Sequence, residues 1–153
     1  MDVTSCIKAI KNTFADSLIR KCEEKGCKLR VNKLKHYVIL KGEKICSNRK
    51  MCDCIIFTEK WNRIIIGIVE LKGKTVHANE VIEKLDNGSK VAMNILERCC
   101  SSKLEFDFYH VVLSKKWKTS EYKVITNKNI DFKGKQYKIL PKRCGCSFYE
   151  LIN

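Results

Sequence analysis

The sequence predicts an α/β fold in which a central mixed sheet is flanked by helices, and three observations favour it. Two apolar, β-rich runs at 52–57 and 64–72 are separated by a short polar linker, a pattern typical of an antiparallel hairpin. A long segment with helical periodicity follows at 78–100. A third apolar run at 106–113 then completes a strand–helix–strand unit, which normally forms a right-handed parallel crossover. One sheet is therefore expected to contain both antiparallel and parallel neighbours.

Length and composition favour one globular domain that spans residues 1–153. A chain of about 150 residues buries about 68–70% of its unfolded surface, so a real core is expected. No apolar run approaches the roughly 20 residues that cross a bilayer. The first residues also lack a basic and then apolar signal segment. We therefore expect a cytoplasmic or nuclear protein that is not secreted and does not contact membranes.

The charge of the chain indicates the class of its partner. Lysine and arginine number 31 against 17 acidic residues, a formal net charge of +14. Neutralising phosphates releases the counterions condensed on nucleic acid, so such an excess of cations favours nucleic-acid binding. A lysine-rich surface without a specific partner is the alternative.

The first third of the chain is expected to hold one helix and two extended segments. Apolar residues three and four apart predict a helix over 6–22, with Asp2 or Thr4 as its cap and Lys25-Gly26 as its end. Residues 28–31 and 35–40 are expected to be extended. The loop at 43–51 leads to Asp53, so Arg49 and Lys50 are candidates for contacts with phosphate near that residue.

The hairpin predicts which side chains face each other. If its turn is centred on Trp61-Asn62, the position numbers of facing residues add to 123, and Asp53 faces Glu70. Directly opposed residues lie about 4.5–5.5 Å apart at Cα. Side chains alternate along a strand, so Glu70 and Lys72 point to the same face. Two carboxylates and one amine are therefore expected to converge at one end of the hairpin.

This convergence has a chemical interpretation. Two adjacent carboxylates raise each other's proton affinity unless a cation separates them. Magnesium takes oxygen ligands, usually one or two carboxylates with water and phosphate, and a neighbouring lysine can stabilise developing negative charge. An ordinary salt bridge at a strand end is the alternative. The opposed Asp53, the long apolar strand and the basic composition favour the metal site.

The same residues resemble a known family. Asp53, followed by a hydrophobic strand that carries Glu70-Leu71-Lys72, resembles the Asp…(Asp/Glu)-x-Lys signature of the PD-(D/E)xK, or restriction-endonuclease-like, nuclease superfamily. The wider pattern CDCIIF…VELKGK with a following helix is similar to small stand-alone members. The resemblance covers roughly residues 30–115, and Cys52 stands where the proline of the signature is usual.

The resemblance implies a restriction-endonuclease-like core and a metal-dependent nuclease that acts on nucleic acid, with DNA favoured. It implies that Asp53, Glu70 and the Leu71 carbonyl hold Mg²⁺ or Mn²⁺, and that Lys72 positions the attacking water. Small nucleases of this type often act as oligomers, so a homodimer is one option, although the sequence shows no interface.

The segment after the hairpin is expected to form the longest helix, over 78–100. Gly88 and Ser89 continue its apolar stripe with small residues, where close packing on a sheet would be possible, although Asn87-Gly88 could instead break the helix. Some members of the superfamily place a polar helix residue near the site, and the candidates are Glu80, Glu83 and Lys84, of which at least two are expected to be solvated. Lys74 and His77, in the preceding linker, are candidates for contacts with nucleic acid, and His77 could also approach the metal.

The last third is expected to contain short strands and a second basic loop. Lys115 and Lys116 could hold phosphate at the end of the strand 106–113, and Trp117 could stack on a base or be a partly buried anchor. Segments 122–126, 130–132 and 136–140 are expected to be strands, the last two forming a hairpin around Gly134 that ends at Pro141.

Ten cysteines form no evident metal site. Two Cys-x-Cys pairs occur at 52–54 and 144–146, tighter than the usual two to four residues between zinc ligands. Without a secretory signal, a disulfide framework is not expected either. We expect reduced, buried cysteines rather than zinc or an iron–sulfur cluster, with Cys52 and Cys54 on the sheet face opposite Asp53.

Three functions remain from the sequence. The first is the metal-dependent nuclease. The second is a non-catalytic nucleic-acid-binding module on the same fold, and the third is an interaction protein that carries zinc or a cluster.

Overall fold

A computed structural model describes all 153 residues. Its helices and strands, labelled in chain order, are α1 Val3–Thr13, β1 Leu18–Ile19, β2 Cys22–Glu24, β3 Cys27–Leu29, β4 Val38–Lys41, α2 Gly42–Ile45, β5 Cys54–Lys60, β6 Arg63–Lys72, α3 Ala78–Cys99, β7 Phe106–Ser114, α4 Thr119–Thr126, β8 Asn129–Phe132, β9 Lys135–Arg143 and α5 Phe148–Leu151.

Seven strands form one mixed sheet in the order β1-β4-β5-β6-β7-β9-β8, and β2 and β3 form a separate small hairpin. Strands β4, β5 and β6 are antiparallel neighbours, whereas β7 is parallel to β6 and β9 is parallel to β7. Helix α3 makes the crossover between β6 and β7. The predicted α/β class, with a central mixed sheet flanked by helices, is confirmed.

The predicted register of the central hairpin is confirmed. Lys60 pairs with Arg63 and Cys54 pairs with Val69, so facing positions add to 123. Trp61 and Asn62 have φ angles of 52° and 57°, as a two-residue type I′ turn requires at both central positions. Asp53 lies one residue before β5, and its amide donates to the Val69 carbonyl at 2.9 Å.

The first helix is shorter than predicted. It begins after Asp2, whose carboxylate accepts from the Ser5 amide at 2.7 Å, and it ends at Thr13 instead of Cys22. The next apolar residue of the stripe, Leu18, pairs with Leu40 at the sheet edge. Strand pairing at the sheet edge therefore overrides the helical periodicity of this stretch.

Two predictions near the end of the chain are wrong. Residues 122–126 belong to α4 rather than to a strand, with Ile125 as the one buried side chain of this helix. Pro141 does not end a strand, because β9 continues to Arg143 and Pro141 pairs with Val112. Strand β8 begins opposite Lys138 and does not extend to Pro141, so one edge of β9 is free at Pro141, and proline is tolerated at such edges. The hairpin around Gly134 is confirmed.

The sheet has a different cover on each face. Helices α1 and α3 cover one face, where Ile55, Phe57, Ile66 and Ile68 belong to a cluster of 26 buried residues. The β2–β3 hairpin and α5 cover the other face, where a cluster of 13 buried residues includes Ile56 and Ile65. We call these the helix face and the hairpin face. Their residues alternate along β5 and β6, as expected for strands.

The expectation of reduced cysteines is wrong for six of the ten. Cys6–Cys100, Cys22–Cys54 and Cys27–Cys144 lie at disulfide distance, with Cα separations of 5.0, 6.0 and 5.0 Å. These partners are 32 to 117 residues apart in the sequence, so spacing motifs could not reveal them. Disulfides are rare in reducing compartments, so the pairs weigh against the expected cytoplasmic or nuclear location. No helix has the length and apolar character to cross a membrane.

Cys52 is a further correction. Cys54 lies on the hairpin face as predicted, but Cys52 belongs to the helix-face cluster. Strand β5 begins only at Cys54, so the alternation of side chains does not extend back to Cys52. A Cβ at Gly88 would lie 2.6 Å from the Cys52 sulfur. Helix α3 runs through Gly88 without a break, and it packs closely there on the chain just before β5.

Candidate active site

The candidate site lies at one edge of the sheet, where several strands begin or end together. Lys72, the last residue of β6, is level with Ser114 at the end of β7, and Ser114 is level with Arg143 at the end of β9. Asp53 enters β5 at the same edge. The register brings together Asp53, Glu70 and Lys72, the three side chains that the sequence singled out.

Asp53 is fixed by the strand opposite it. The Leu71 amide donates to Asp53 Oδ2 at 2.7 Å. Burial and the adjacent charge of Glu70 raise the pKa of Asp53 to about 7. The N–H and C=O of one strand residue point to the same side, so the Leu71 carbonyl also points toward the chain before β5.

Glu70 is the most deeply buried charge of the site. Its side chain is 1% exposed, and two ammonium groups contact the same oxygen: Lys84 at 3.1 Å and Lys72 at 3.4 Å from Oε2. Its other oxygen, Oε1, is buried and has no hydrogen-bond partner. A buried acceptor without a partner is uncommon and calls for an explanation such as a missing ion or water.

Lys84 reaches the site from α3. The sequence offered Glu80, Glu83 and Lys84 as candidates, and of these Lys84 forms an ion pair with Glu70. Glu80, four residues earlier on the helix, pairs with the same ammonium at 3.4 Å. Glu83 is 56% exposed and pairs with Lys50 at 3.8 Å. The signal for Lys84 is its place in the apolar stripe, because it lies three residues after Val81 and four before Gly88.

An open cavity of about 490 Å³ lies in front of Asp53, and its charged lining comprises Glu24, Lys41, Glu43, Arg49, Asp53 and Lys84. Glu24 comes from β2, which the Cys22–Cys54 pair holds to β5. Burial and the charge of Asp53 raise the pKa of Glu24. Lys41 pairs with Glu43 at 3.0 Å and with Glu24 at 3.9 Å. Lys41 is the last residue of β4, so the end of this strand contributes a cation to the cavity.

The residues predicted to contact nucleic acid lie around this edge of the sheet, and they differ in what their side chains and backbone contact. Arg49 is exposed and lines the cavity. Lys50 is exposed but is held between Glu83 and Asn87, whose amide donates to the Lys50 carbonyl at 2.7 Å. Lys74 and His77 are exposed in the linker between β6 and α3, where the Lys74 carbonyl accepts from the Ser114 hydroxyl at 3.2 Å.

The loop after β7 presents two free lysines and one anchored tryptophan. Lys115 and Lys116 are exposed at the end of β7. Trp117 is half-buried, donates its indole N–H to the Lys142 carbonyl at 2.8 Å and packs edge-to-face on Tyr122. Trp117 therefore anchors α4, which favours the second of its two interpretations over base stacking.

The oxygen atoms at this edge fit a hard divalent ion. Two carboxylates with one backbone carbonyl and open solvent are a donor set typical of magnesium, which usually keeps several waters. The unpartnered Oε1 of Glu70 is an available ligand atom. No group of three or more histidine, cysteine or acidic side chains is gathered as a metal cage, so water and phosphate would have to complete the coordination.

A serine and a histidine, residue types common in catalytic sites, also lie side by side, but they are buried away from any substrate. Ser89 and His110 lie 2.6 Å apart between Oγ and Nε2, and both side chains are fully buried in the core. Burial lowers the pKa of His110 to about 4. A neutral histidine without solvent access supports core packing rather than attack on a substrate.

Comparison of the chain with protein-family models, with curated proteins and with solved structures gave no match.

Proposed function

We propose that the protein is a metal-dependent nuclease that hydrolyses phosphodiester bonds of nucleic acid, with DNA favoured, on a restriction-endonuclease-like core. One observation carries the proposal. Asp53 lines an open cavity, and the adjacent carboxylate of Glu70 is buried and keeps one oxygen without any partner. Lys72 stands two residues further along the same strand and contacts that carboxylate.

Asp53 and Glu70 would hold Mg²⁺ or Mn²⁺, with the Leu71 carbonyl as a third protein ligand. When bound, the ion lowers the pKa of a coordinated water and stabilises charge on the phosphate. The Leu71 amide occupies Asp53 Oδ2, so Oδ1 is the oxygen left for the ion. Lys72, which is 13% exposed, would orient the attacking water or offset the negative charge that develops on the phosphate.

Basic side chains around the edge would hold the nucleic-acid backbone. Lys41 and Arg49 line the cavity, while Lys74, Lys115 and Arg143 lie where the strands end. Phosphate contacts of this kind position a strand without reading its sequence. The +14 charge of the chain supports a polyanionic substrate.

A second candidate is a non-catalytic nucleic-acid-binding module, and the ion pairs of the site favour it. Lys72 and Lys84 both pair with the Glu70 carboxylate, and burial with the charge of Glu70 raises the pKa of Asp53, which favours its neutral form. The charge of Glu70 is therefore balanced without a metal ion. This candidate predicts salt-sensitive binding of nucleic acid with no cleavage.

The test is a cleavage panel on supercoiled plasmid, duplex and single-stranded DNA, and RNA, with Mg²⁺ or Mn²⁺ and with a chelator. We expect metal-dependent cleavage by the wild type and a loss of about 10²–10³-fold or more in Asp53→Asn, Glu70→Gln and Lys72→Met, the usual size for one electrostatic group. Lys90→Met is the matched control, because Lys90 pairs with Asp86 on the exposed side of α3.

Equal activity of the wild type and the three site variants would contradict the proposal. Salt-dependent binding without cleavage of any substrate would support the second candidate instead.

A further inference from the structure

The site contains one more cation than the proposed chemistry uses. Lys72 has a role beside the water and phosphate, whereas Lys84 comes from a different element and contacts the same oxygen of Glu70, at 3.1 Å against 3.4 Å for Lys72. Both lysine side chains are largely buried, with exposures of 13% for Lys72 and 20% for Lys84. Lys84 is therefore an integral part of the site rather than an exposed surface lysine.

The charges determine how a divalent ion meets this site. When both carboxyl groups are ionised, the charges of Asp53, Glu70, Lys72 and Lys84 sum to zero, so an incoming cation finds no net attraction from the set. Charges that are partly removed from water interact strongly and are screened little by salt. Neutralising Lys84 alone would leave a net charge of −1, and only Lys72 would then compete with a divalent ion for the Glu70 carboxylate.

Lys84 differs from Lys72 in having a second acceptor. Glu80, one turn earlier on α3, lies 3.4 Å from the Lys84 ammonium and is 40% exposed. Lys84 also lines the cavity beside Asp53. The ammonium can therefore leave Glu70 and remain paired with Glu80 at the cavity wall.

We propose that Lys84 is a positioning residue that acts as an internal counter-cation: it holds Glu70 in the metal-free site and competes with the divalent ion for that carboxylate. This inference rests on the proposed function, because it concerns the same ion. A purely structural lysine would support Glu70 as a ligand, so that its removal would weaken metal binding. A competing lysine predicts the opposite sign.

The test is Mn²⁺ binding by isothermal titration calorimetry to the wild-type protein, Lys84→Met, Lys84→Arg and the control Lys90→Met, all without nucleic acid. Lys90 forms the equivalent i,i+4 pair with Asp86 on the same helix. We expect Lys84→Met to bind Mn²⁺ about 5- to 150-fold more tightly, the usual range of coupling between two ligands. Lys84→Arg and Lys90→Met should bind as the wild type does.

Thermal unfolding provides the second measurement. Lys84→Met should unfold at a lower temperature than the wild type in a chelator, because Glu70 loses one of its two partners, and saturating Mn²⁺ should narrow that difference. If Lys84→Met does not fold, Lys84→Gln removes the same charge and is measured in the same way.

Equal or weaker Mn²⁺ binding by the neutral variants overturns this inference and leaves the nuclease proposal intact. Absence of Mn²⁺ binding in every protein, the variants included, overturns both.

Discussion

The two faces of the sheet are built on different principles. The helix face is covered by α1 and by the 22-residue α3, over a cluster of 26 buried residues. The hairpin face is covered by two three-residue strands and a four-residue helix, over a cluster of 13. Such short elements are not stable alone. Two of the three disulfide-distance pairs, Cys22–Cys54 and Cys27–Cys144, join this small cover to the rest of the chain.

The difference shows how the site is supported. The carboxylates and Lys84 lie on the helix face, where apolar packing holds the strands and α3 in register. Glu24 reaches the same cavity from the hairpin-face cover, where a covalent link fixes β2. The main ligand atoms therefore depend on the core, whereas one wall of the cavity depends on cysteine chemistry.

Removing Cys27–Cys144 is expected to have the largest effect. The double variant Cys27→Ser, Cys144→Ser should lose about 4 kcal/mol of unfolding free energy, near the upper part of the range for a long closed loop. The pair Cys6→Ser, Cys100→Ser, which closes a loop of similar length, should lose about 2 kcal/mol, because α1 and α3 also pack against each other. Urea unfolding measures both, and equal losses would erase the distinction between the two covers.

Truncating adjacent core residues sharpens the same comparison. Ile66 and Ile65 are neighbours on β6 and both are 0% exposed, one on each face. We expect Ile66→Ala to destabilise by about 3 kcal/mol and Ile65→Ala by about 2 kcal/mol, within the usual range for such cavities. The shorter elements of the hairpin face can relax further into the space. A larger loss for Ile65→Ala in urea unfolding would show that the hairpin face is the stiffer one.

The pH dependence of stability tests the charge set on the helix face. The pKa of Asp53 is raised to about 7 in the folded protein from an ordinary value of 3.8, so between these values the folded state binds the extra proton. Stability from this group is present below pH 4 and is lost as the pH rises through 7. In the presence of a chelator at pH 8, the free energy of unfolding of Asp53→Asn should exceed that of the wild type by about 2 kcal/mol.

That advantage of Asp53→Asn should shrink as the pH falls toward 4. Guanidinium unfolding at four or five pH values gives the two curves. A gap that stays constant with pH would mean that Asp53 is not forced against Glu70.

A smaller effect is expected at Gly88. A Cβ there would lie 2.6 Å from the Cys52 sulfur and 2.8 Å from Ile68 Cγ2. Overpacking costs about 1–3 kcal/mol, and the better helix propensity of alanine returns up to about 1 kcal/mol. Gly88→Ala should therefore lose about 1 kcal/mol in urea unfolding, whereas the exposed Asn94→Ala on the same helix should be neutral or stabilising. A stabilising Gly88→Ala would contradict the close approach of α3 to the sheet.

The sequence was most informative where a short-range pattern determined geometry. Strand alternation and a two-residue turn were sufficient to place Asp53 opposite Glu70, with Lys72 on the same face as Glu70. The periodicity of α3 was strong enough to give its ends within one residue. Both features depend on neighbours along the chain, so a single sequence contains the information.

The remaining features depend on contacts between distant segments. Leu18 leaves the helical stripe because Leu40 offers a strand partner, and residues 122–126 are helical although their apolar content suited a strand. The cysteine partners are far apart in the chain. The sequence could not single out Lys84 among the three candidates of α3, because its partner, Glu70, is on a different element and the packing of α3 on the sheet brings the two together.

The most direct test of the account is the position of a metal ion in a crystal of the protein grown or soaked with Mn²⁺. We expect an anomalous peak between the carboxylates of Asp53 and Glu70, within coordination distance of Glu70 Oε1, that is absent from a crystal of Glu70→Gln. A well-ordered wild-type crystal with no peak there, or with Mn²⁺ only elsewhere on the surface, would contradict the claim that these two residues form a metal site.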